Sequence, residues 1–218
     1  MLERVLEPEV MDSAEEAHDY DAMDHATVNR VFVDDFLAVW KGEDPLLDVG
    51  TGTAQIPLEL CRRVAKAEVV AIDLAENMLA VGRENVRRAG LENRIGLQLC
   101  DAKRMPFRDG MFAGVISNSI VHHIPEPRLV LAEMVRVVVP GGILFVRDLL
   151  RPPDQTTLTA LVDQYAAGAN DHQRQMFADS LRAALALAEV RALVASLGFD
   201  SATVRQTSDR HWTWSARC

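Results

Sequence analysis

Four residues in the most regular part of the chain can do chemistry together: Asp48, Gly50 and Gly52 in LLDVGTGTAQ, and Asp73 at the end of VVAID. Glycines at 50 and 52 permit the tight strand-to-helix turn that dinucleotide folds use to bring a pyrophosphate onto a helix N-terminus. Asp48 argues against a phosphate, because it sets a negative charge beside an anionic diphosphate. The third glycine of the dinucleotide pattern is also missing, its place taken by Gln55. The turn suits a ligand that carries positive charge near the glycines. Asp73 follows Asp48 by twenty-five residues, at a strand end where a carboxylate can accept both hydroxyls of a ribose.

A second group lies in SNSIVHHIPEP. His122 and His123 titrate near neutrality and can take a proton from an acceptor hydroxyl or ring carbon; the alternative is that one packs while the other caps the helix after PEP. Tyr20 and His25 are comparable candidates for holding an acceptor. Arg147, Asp148 and Arg151 flank the end of a strand, either beside the reacting group or as a surface ion-pair cluster. Cys61, Cys100 and Cys218 lie far apart with no CxxC pair, so no metal is expected from them.

These residues need a scaffold, and the pattern from Val69 to Asp148 supplies one. Short β-branched runs alternate with helical stretches, as in a parallel sheet wrapped by helices. Strands are expected at Pro45–Val49, Val69–Asp73, Ile95–Cys100, Phe112–Ser117 and Ile143–Asp148, and runs such as VVAID and ILFV suit strands covered on both faces. The helix after Asp73 carries Met78, Leu79, Gly82 and Val86 on one face and ends at Gly90, a residue suited to a left-handed cap. Pro140, Gly141 and Gly142 are expected to stop the helix before the fifth strand. Residues 1–41 read as one or two helices over the sheet, and residues 151–198 as a helical insert with an apolar stripe from Leu181 through Leu185, Ala188, Leu193 and Val194 to Leu197. SATVRQ and HWTWSAR, joined by TSDR, read as a C-terminal hairpin, making seven strands.

LLDVGTGTAQIPLEL closely resembles motif I of the class I S-adenosylmethionine-dependent methyltransferases, an acidic residue followed by alternating glycines, with Ala54 at the third glycine. The resemblance continues at IDLAENML, DAKRMPF and SNSIVHHIPEP, each at a strand's carboxyl end, where open α/β sheets bind ligands. This wording is closest to small-molecule enzymes of the ubiquinone/menaquinone-biosynthesis type. The resemblance implies a Rossmann-like α/β fold of seven mostly parallel strands with helices on both faces, the last strand antiparallel, and an N-terminal helical lid. It implies one methyltransferase domain over 1–218, divided into a lid (1–41), a cofactor-binding core (42–150), a helical insert (151–198) and a C-terminal hairpin (199–218). It further implies S-adenosylmethionine as cofactor, held by Asp48, Gly50, Thr51, Gly52, Asp73, Leu74, Met78, Cys100, Asp101, Ala102, Asn118 and Ser119. In that reading Asp73 takes the ribose, Asp101 receives the adenine amino group, and Asn118 and Ser119 face the methionyl end. His122, His123 and Tyr20 are the candidates for the catalytic side. Each has a plainer alternative: Asp73 as a helix cap, Asp101 as a turn cap, Met78 as core.

Bulk properties limit the partners. A chain of 218 residues accommodates one α/β domain, and a composition of 49% hydrophobic and 25% charged residues is that of a globular protein. The net charge of −9 disfavours nucleic acid or an anionic membrane, and SNSIV stands where an enzyme acting on adenine amino groups would carry an Asn/Asp-Pro-Pro-aromatic motif. No apolar run reaches the ~18 residues of a membrane helix, and the acidic N-terminus lacks the plan of a signal peptide, so a cytoplasmic protein acting on a small molecule is expected. Two alternatives remain: a module that binds S-adenosylmethionine without transferring methyl, and an NAD-dependent reductase, the latter opposed by Asp48 and the incomplete glycine pattern. The identity of the acceptor and the oligomeric state are not encoded in any readable motif.

Overall fold

A computed structural model describes residues 2–8, 13–23 and 25–218. Seven strands form one sheet in the order β3-β2-β1-β4-β5-β7-β6. β1 (Leu46–Val49), β2 (Val69–Asp73), β3 (Ile95–Leu99) and β4 (Phe112–Asn118) are joined by parallel pairs, β1 lying between β2 and β4, whereas β6 (Val204–Gln206) and β7 (His211–Arg217) pair antiparallel. The expected fold class is therefore the observed one.

The chain divides into two compact units, the first within Val10–Asn118, Leu129–Val146 and Ser215–Cys218, the second within Met1–Glu9, Ser119–Arg128 and Arg147–Trp214. In the first, α1 (Ala14–Ala22) and α2 (Ala26–Val39) precede β1, α3 (Gln55–Arg63) and α4 (Glu76–Ala89) alternate with the parallel strands, and the larger parts of α5 (Pro127–Val137) and β5 (Val138–Leu149) follow, residues 127–128 and 147–149 counting with the second unit. Helix α2 does more than cover the sheet. Its Phe32, Val33 and Phe36 are fully enclosed with Leu46, Leu60, Ile116 and Phe145 in the main core, and Phe32 meets Phe145 edge-on at 5.2 Å between ring centroids. Helix α4 buries Met78, Leu79, Gly82 and Val86, the face anticipated from its periodicity, and Gly90 caps it at φ 67°.

Pro140, Gly141 and Gly142 do not stop the helix before the fifth strand. They lie inside β5, which starts at Val138 directly after α5 ends at Val137. A Cβ at Gly142 would approach the Ala113 carbonyl oxygen to 2.7 Å, so the glycine serves close packing of backbone rather than helix termination. β4 runs one residue beyond its anticipated end, to Asn118, and β3 stops at Leu99, one short.

In the second unit, α6 (Gln155–Tyr165) and α7 (Asp171–Ala183) pack Leu158, Leu161, Val162, Ala178 and Leu181 around Leu149 and Leu2. The apolar stripe anticipated from Leu181 to Leu197 spans two helices, α7 and α8 (Leu187–Ser196). Between them Leu185 bridges to Leu150, and α8 buries Val190 and Val194. Ser201–Thr203 forms a short 3₁₀ turn ahead of β6, where an extended run had been anticipated.

Candidate functional site

The order of the sheet reverses between β1 and β4, and open α/β sheets bind ligands outside the carboxyl ends of their strands at such a point. β1 delivers Asp48 and the glycine turn there. Gly50 and Gly52 adopt φ of 76° and 54°, values that side chains rarely tolerate. The N–H groups of Gly50 and Thr51 both donate to the Ile72 carbonyl at 2.9 Å, locking the turn onto β2. Ala54, at the third glycine position, also takes the left-handed conformation, φ 64°, which costs an alanine about 1–2 kcal/mol. The turn is therefore kept at the expense of local strain. Gly82 of α4 allows this arrangement, since a Cβ there would stand 3.3 Å from the Thr53 carbonyl carbon.

Asp48 is 1% exposed, and burial, with a smaller contribution from Asp73, pushes its carboxyl up to about 7. The Thr51 hydroxyl partly offsets this rise, yet the contact falls short of hydrogen-bond geometry. Asp48 Oδ2, Thr51 Oγ1 and Thr53 Oγ1 are all buried without a partner among the described residues. Buried polar atoms are rarely left so, and three around one glycine turn mark a place prepared for a polar ligand.

Asp73, at the carboxyl end of β2, accepts the Gly52 N–H on Oδ2 at 2.7 Å and the Ala75 N–H on Oδ1 at 2.9 Å. It thus supports the turn and the entry to α4, as its capping alternative anticipated. A carboxylate oxygen can accept more than one hydrogen bond, a hydroxyl's among them. Leu74 beside it is 38% exposed, whereas Met78 is 7% exposed and packs with Ala17 and Ala75, the core alternative. Past the end of β3, Asp101 accepts the Lys103 N–H at 2.9 Å and pairs with Lys103 Nζ at 3.1 Å. Desolvation opposes its ionisation, but the Lys103 contacts prevail and hold its carboxyl below the ordinary value. Cys100 is buried with Sγ directed to the Asp101 carbonyl, and Ala102 is half-buried. At the end of β4 the Asn118 side-chain oxygen is buried with no partner among the described residues.

Tyr20 comes from α1, and its ring edge lies 3.7 Å from where a Gly52 Cβ would stand. It therefore covers the glycine turn. Its neighbour His25 lies ring against ring at 4.7 Å. Although 36% of Tyr20 stays accessible, desolvation and then the negative charges of Asp73, Asp48 and Asp21 push its phenol up to about 12, so it stays protonated. A network that no motif announces supports this corner. Asp21 Oδ1 accepts from Gln55 at 3.0 Å and from Asn85 at 2.8 Å, while Asn85 also reaches the Thr53 carbonyl at 3.2 Å. Gln55, the departure from the dinucleotide pattern, is thus a strut between α3 and α1.

The remaining candidates belong to the second unit. Ser119 takes φ 60°, an unusual conformation for serine. His122 and His123 form a 3₁₀ turn with ring centroids 4.1 Å apart. His122 Nδ1 lies 2.6 Å from Asp148 Oδ1, and Asp148 also accepts the Val121 and Leu149 N–H groups at 2.5 and 2.6 Å. The surface alternative for Arg147, Asp148 and Arg151 does not hold, since all three are at most 6% exposed. Arg147 donates to Thr213 at 2.9 Å and Arg151 to Glu189 at 2.7 Å. Sequence reasoning missed Glu7, whose Oε1 lies 3.1 Å from His123 Nδ1.

Residues 47–146 match the family described as "Methyltransferase domain". The chain is 38% identical over 117 residues to a demethylmenaquinone methyltransferase of Thermus thermophilus, covering 54% of this chain and 52% of that protein. It is 33% identical over 130 residues to a ubiquinone/menaquinone biosynthesis C-methyltransferase of Dinoroseobacter shibae, covering 58% and 52%. The chain thus spans about half the length of the curated relatives it matches. Among solved structures, an S-adenosylmethionine-dependent methyltransferase from Aquifex aeolicus superimposes with TM-score 0.67 at 18% identity, over 94% of this chain and 98% of that one. A phosphoethanolamine N-methyltransferase from Haemonchus contortus in complex with S-adenosylmethionine superimposes with TM-score 0.66 at 18% identity, over 86% and 42%. S-Adenosylmethionine fits the residues present: its cationic amino group matches the unpartnered Asp48 carboxylate, and its ribose hydroxyls match the acceptors of Asp73. Over residues 47–146, then, the chain matches a methyltransferase domain, it shares its fold with an S-adenosylmethionine-dependent methyltransferase, and it resembles the enzymes of ubiquinone and menaquinone biosynthesis.

Proposed function

We propose that this protein is a cytoplasmic methyltransferase that moves a methyl group from S-adenosylmethionine to a small-molecule acceptor. One observation carries the reading: a buried carboxylate, Asp48, with Oδ2 unpartnered among the described residues at the mouth of a strained glycine turn, where its negative charge opposes a phosphate-bearing cofactor. When bound, the cofactor supplies a methyl already activated by its sulfonium, which an acceptor nucleophile takes by in-line displacement. The chain's own task is alignment and exclusion of water. Asp48 receives the amino group, Asp73 the ribose hydroxyls, Asp101 the adenine amino group, and Tyr20 covers the turn as a protonated ring.

His122 and His123 are assigned to the acceptor side, where they hold its nucleophile. A quinone-like ring is the first acceptor class to test, because the relative of Thermus is named for demethylmenaquinone and that of Dinoroseobacter for ubiquinone and menaquinone biosynthesis. Neither nucleic acid nor a membrane is invoked; no described helix is long and apolar enough to cross a bilayer.

Calorimetric titration of S-adenosylmethionine, S-adenosylhomocysteine and NADH into the wild type and Asp73→Ala tests the cofactor. Micromolar binding of the first two, about 8 kcal/mol, with clear loss in the variant, is the expected result. Binding of NADH alone, or of none, refutes the proposal. Release of S-adenosylhomocysteine with an acceptor separates an enzyme from a module that only binds.

A further inference from the structure

Three side chains of the second unit bring possible ligand atoms to one point. Glu7 Oε1 stands 3.4 Å from His122 Nε2 and 3.1 Å from His123 Nδ1, and all three atoms lie within 4.8 Å of one another. Neither short approach is a hydrogen bond. Glu7 Oε1 and His123 Nδ1 are both buried without a partner among the described residues, so the alignment a proton bridge would need is missing. His122 Nδ1 faces Asp148 Oδ1 at 2.6 Å, an acceptor that fixes a proton on Nδ1 and turns Nε2 toward Glu7; desolvation lowers this imidazole, but Asp148 and then Glu7 outweigh it and raise it above its ordinary value. His123 Nδ1 is buried without a partner among the described residues, and burial, then the neighbouring His122, pushes this imidazole down to about 4.

We propose that Glu7, His122 and His123 bind a divalent transition-metal ion of the zinc type, with Asp148 orienting His122 from behind. Two imidazoles and one carboxylate are a known ligand set for zinc with an open fourth position. Ligands at ~2.0–2.1 Å from a tetrahedral ion stand about 3.3 Å apart, close to the two separations measured here. A metal-bound histidine that donates its other N–H to a carboxylate is the usual supporting arrangement, and Asp148, with Val121 and Leu149 as further donors, is fixed in that position.

The ligands are held in advance. Ser180 Oγ donates to Glu7 Oε2 at 3.2 Å, leaving Oε1 for the ion. The segment carrying Glu7 is tied down separately: Arg4 donates to the carbonyls of Ala183, His122 and Ile124, and the Val5 N–H to that of Arg182. Arg4 brings a positive charge nearby, but Glu7, Asp148 and Asp179 surround the cluster with more negative charge than it offsets. The absence of cysteine pairs has no bearing on such a site, whose ligands are histidine and glutamate from separate parts of the chain.

The test is titration of the untagged, chelator-treated full chain with Zn²⁺, and with Co²⁺ as a visible probe, at pH 7.5. One ion per chain at micromolar affinity or tighter, with the intense visible bands of a tetrahedral cobalt site, is expected. Glu7→Gln and His123→Ala should each abolish these bands, while Asp148→Asn weakens binding about 10- to 100-fold. His172→Ala, far from the cluster in sequence and on α7, should leave them unchanged. S-Adenosylmethionine binding by each variant reports that it is folded and keeps failure here separate from failure of the methyltransferase reading. No saturable binding by folded wild type overturns the proposal, as does binding that survives Glu7→Gln. A nitrogen-15 spectrum showing His122 as an imidazolium at pH 7.5, unmoved by zinc, overturns it as well, because a proton then occupies the position assigned to the ion.

Discussion

Replacing Asp48 by asparagine separates a ligand-binding carboxylate from a structural one, because the two roles predict opposite signs. Burial lifts the folded-state carboxyl to about 7 against an ordinary value of 3.8, a difference of roughly 3 units or about 4 kcal/mol at most. A carboxyl whose folded value is raised favours the folded state at low pH. Below about pH 4 the group is protonated in both states and has no effect. As pH rises from about 4 to about 7 the unfolded chain ionises first, and stability is lost; above about 7 the full penalty remains. Asp48→Asn removes the charge and nearly preserves the shape. Without ligand, the variant should match the wild type near pH 4 and exceed it by about 1–4 kcal/mol at pH 8, measured by urea unfolding across that range.

S-Adenosylmethionine should reverse the comparison. The asparagine offers no charge to the amino group, and losing a charge-assisted hydrogen bond of about 1.5–3 kcal/mol weakens binding roughly 10- to 100-fold. Wild-type affinity should also fall as pH drops below about 7, where Asp48 must release a proton before it can pair. An asparagine variant less stable than wild type at pH 8, a stability gap that does not change with pH, or unaltered affinity would each refute the reasoning.

Two further substitutions probe the same corner. Gly82→Ala adds about 1 kcal/mol of helix propensity, yet its methyl would press on the Thr53 backbone at 3.3 Å and the Gly52 carbonyl at 3.4 Å. The expected outcome is an α4 that melts no earlier by circular dichroism, together with calorimetric affinity for S-adenosylmethionine reduced about tenfold; unchanged affinity means the turn does not set the site. Tyr20→Phe keeps the ring over Gly52 and removes a phenol that desolvation keeps protonated through neutral pH. Turnover against pH from 7 to 9 should keep its shape, and a loss approaching the ~10²–10⁴-fold typical of a missing general base would reassign Tyr20 to proton transfer.

What could be read without the structure follows the range of the interactions. Periodicity in VVAIDLAENML and a terminal glycine are local signals, and they locate β2, the buried face of α4 and its cap at Gly90 to the residue. Pro140-Gly141-Gly142 is equally local but ambiguous, because the same residues that end a helix also permit backbone to approach backbone inside a strand. The carbonyl of Ala113, with Val138 and Val139 of β5 itself, decides between them. The same division runs through the candidate sites. Asp48, Gly50, Gly52 and Asp73 stand at strand ends and are legible from spacing, whereas the side chains that finish their environment arrive from elsewhere in the chain. Tyr20 and Asp21 come from α1 to cover and brace the turn, and Glu7 and Asp148 converge on His122 from either side in sequence. A histidine pair in SNSIVHHIPEP therefore has no readable role by itself. Its chemistry is set by which nitrogen Asp148 occupies and by what Glu7 faces, and neither partner shares a motif with it.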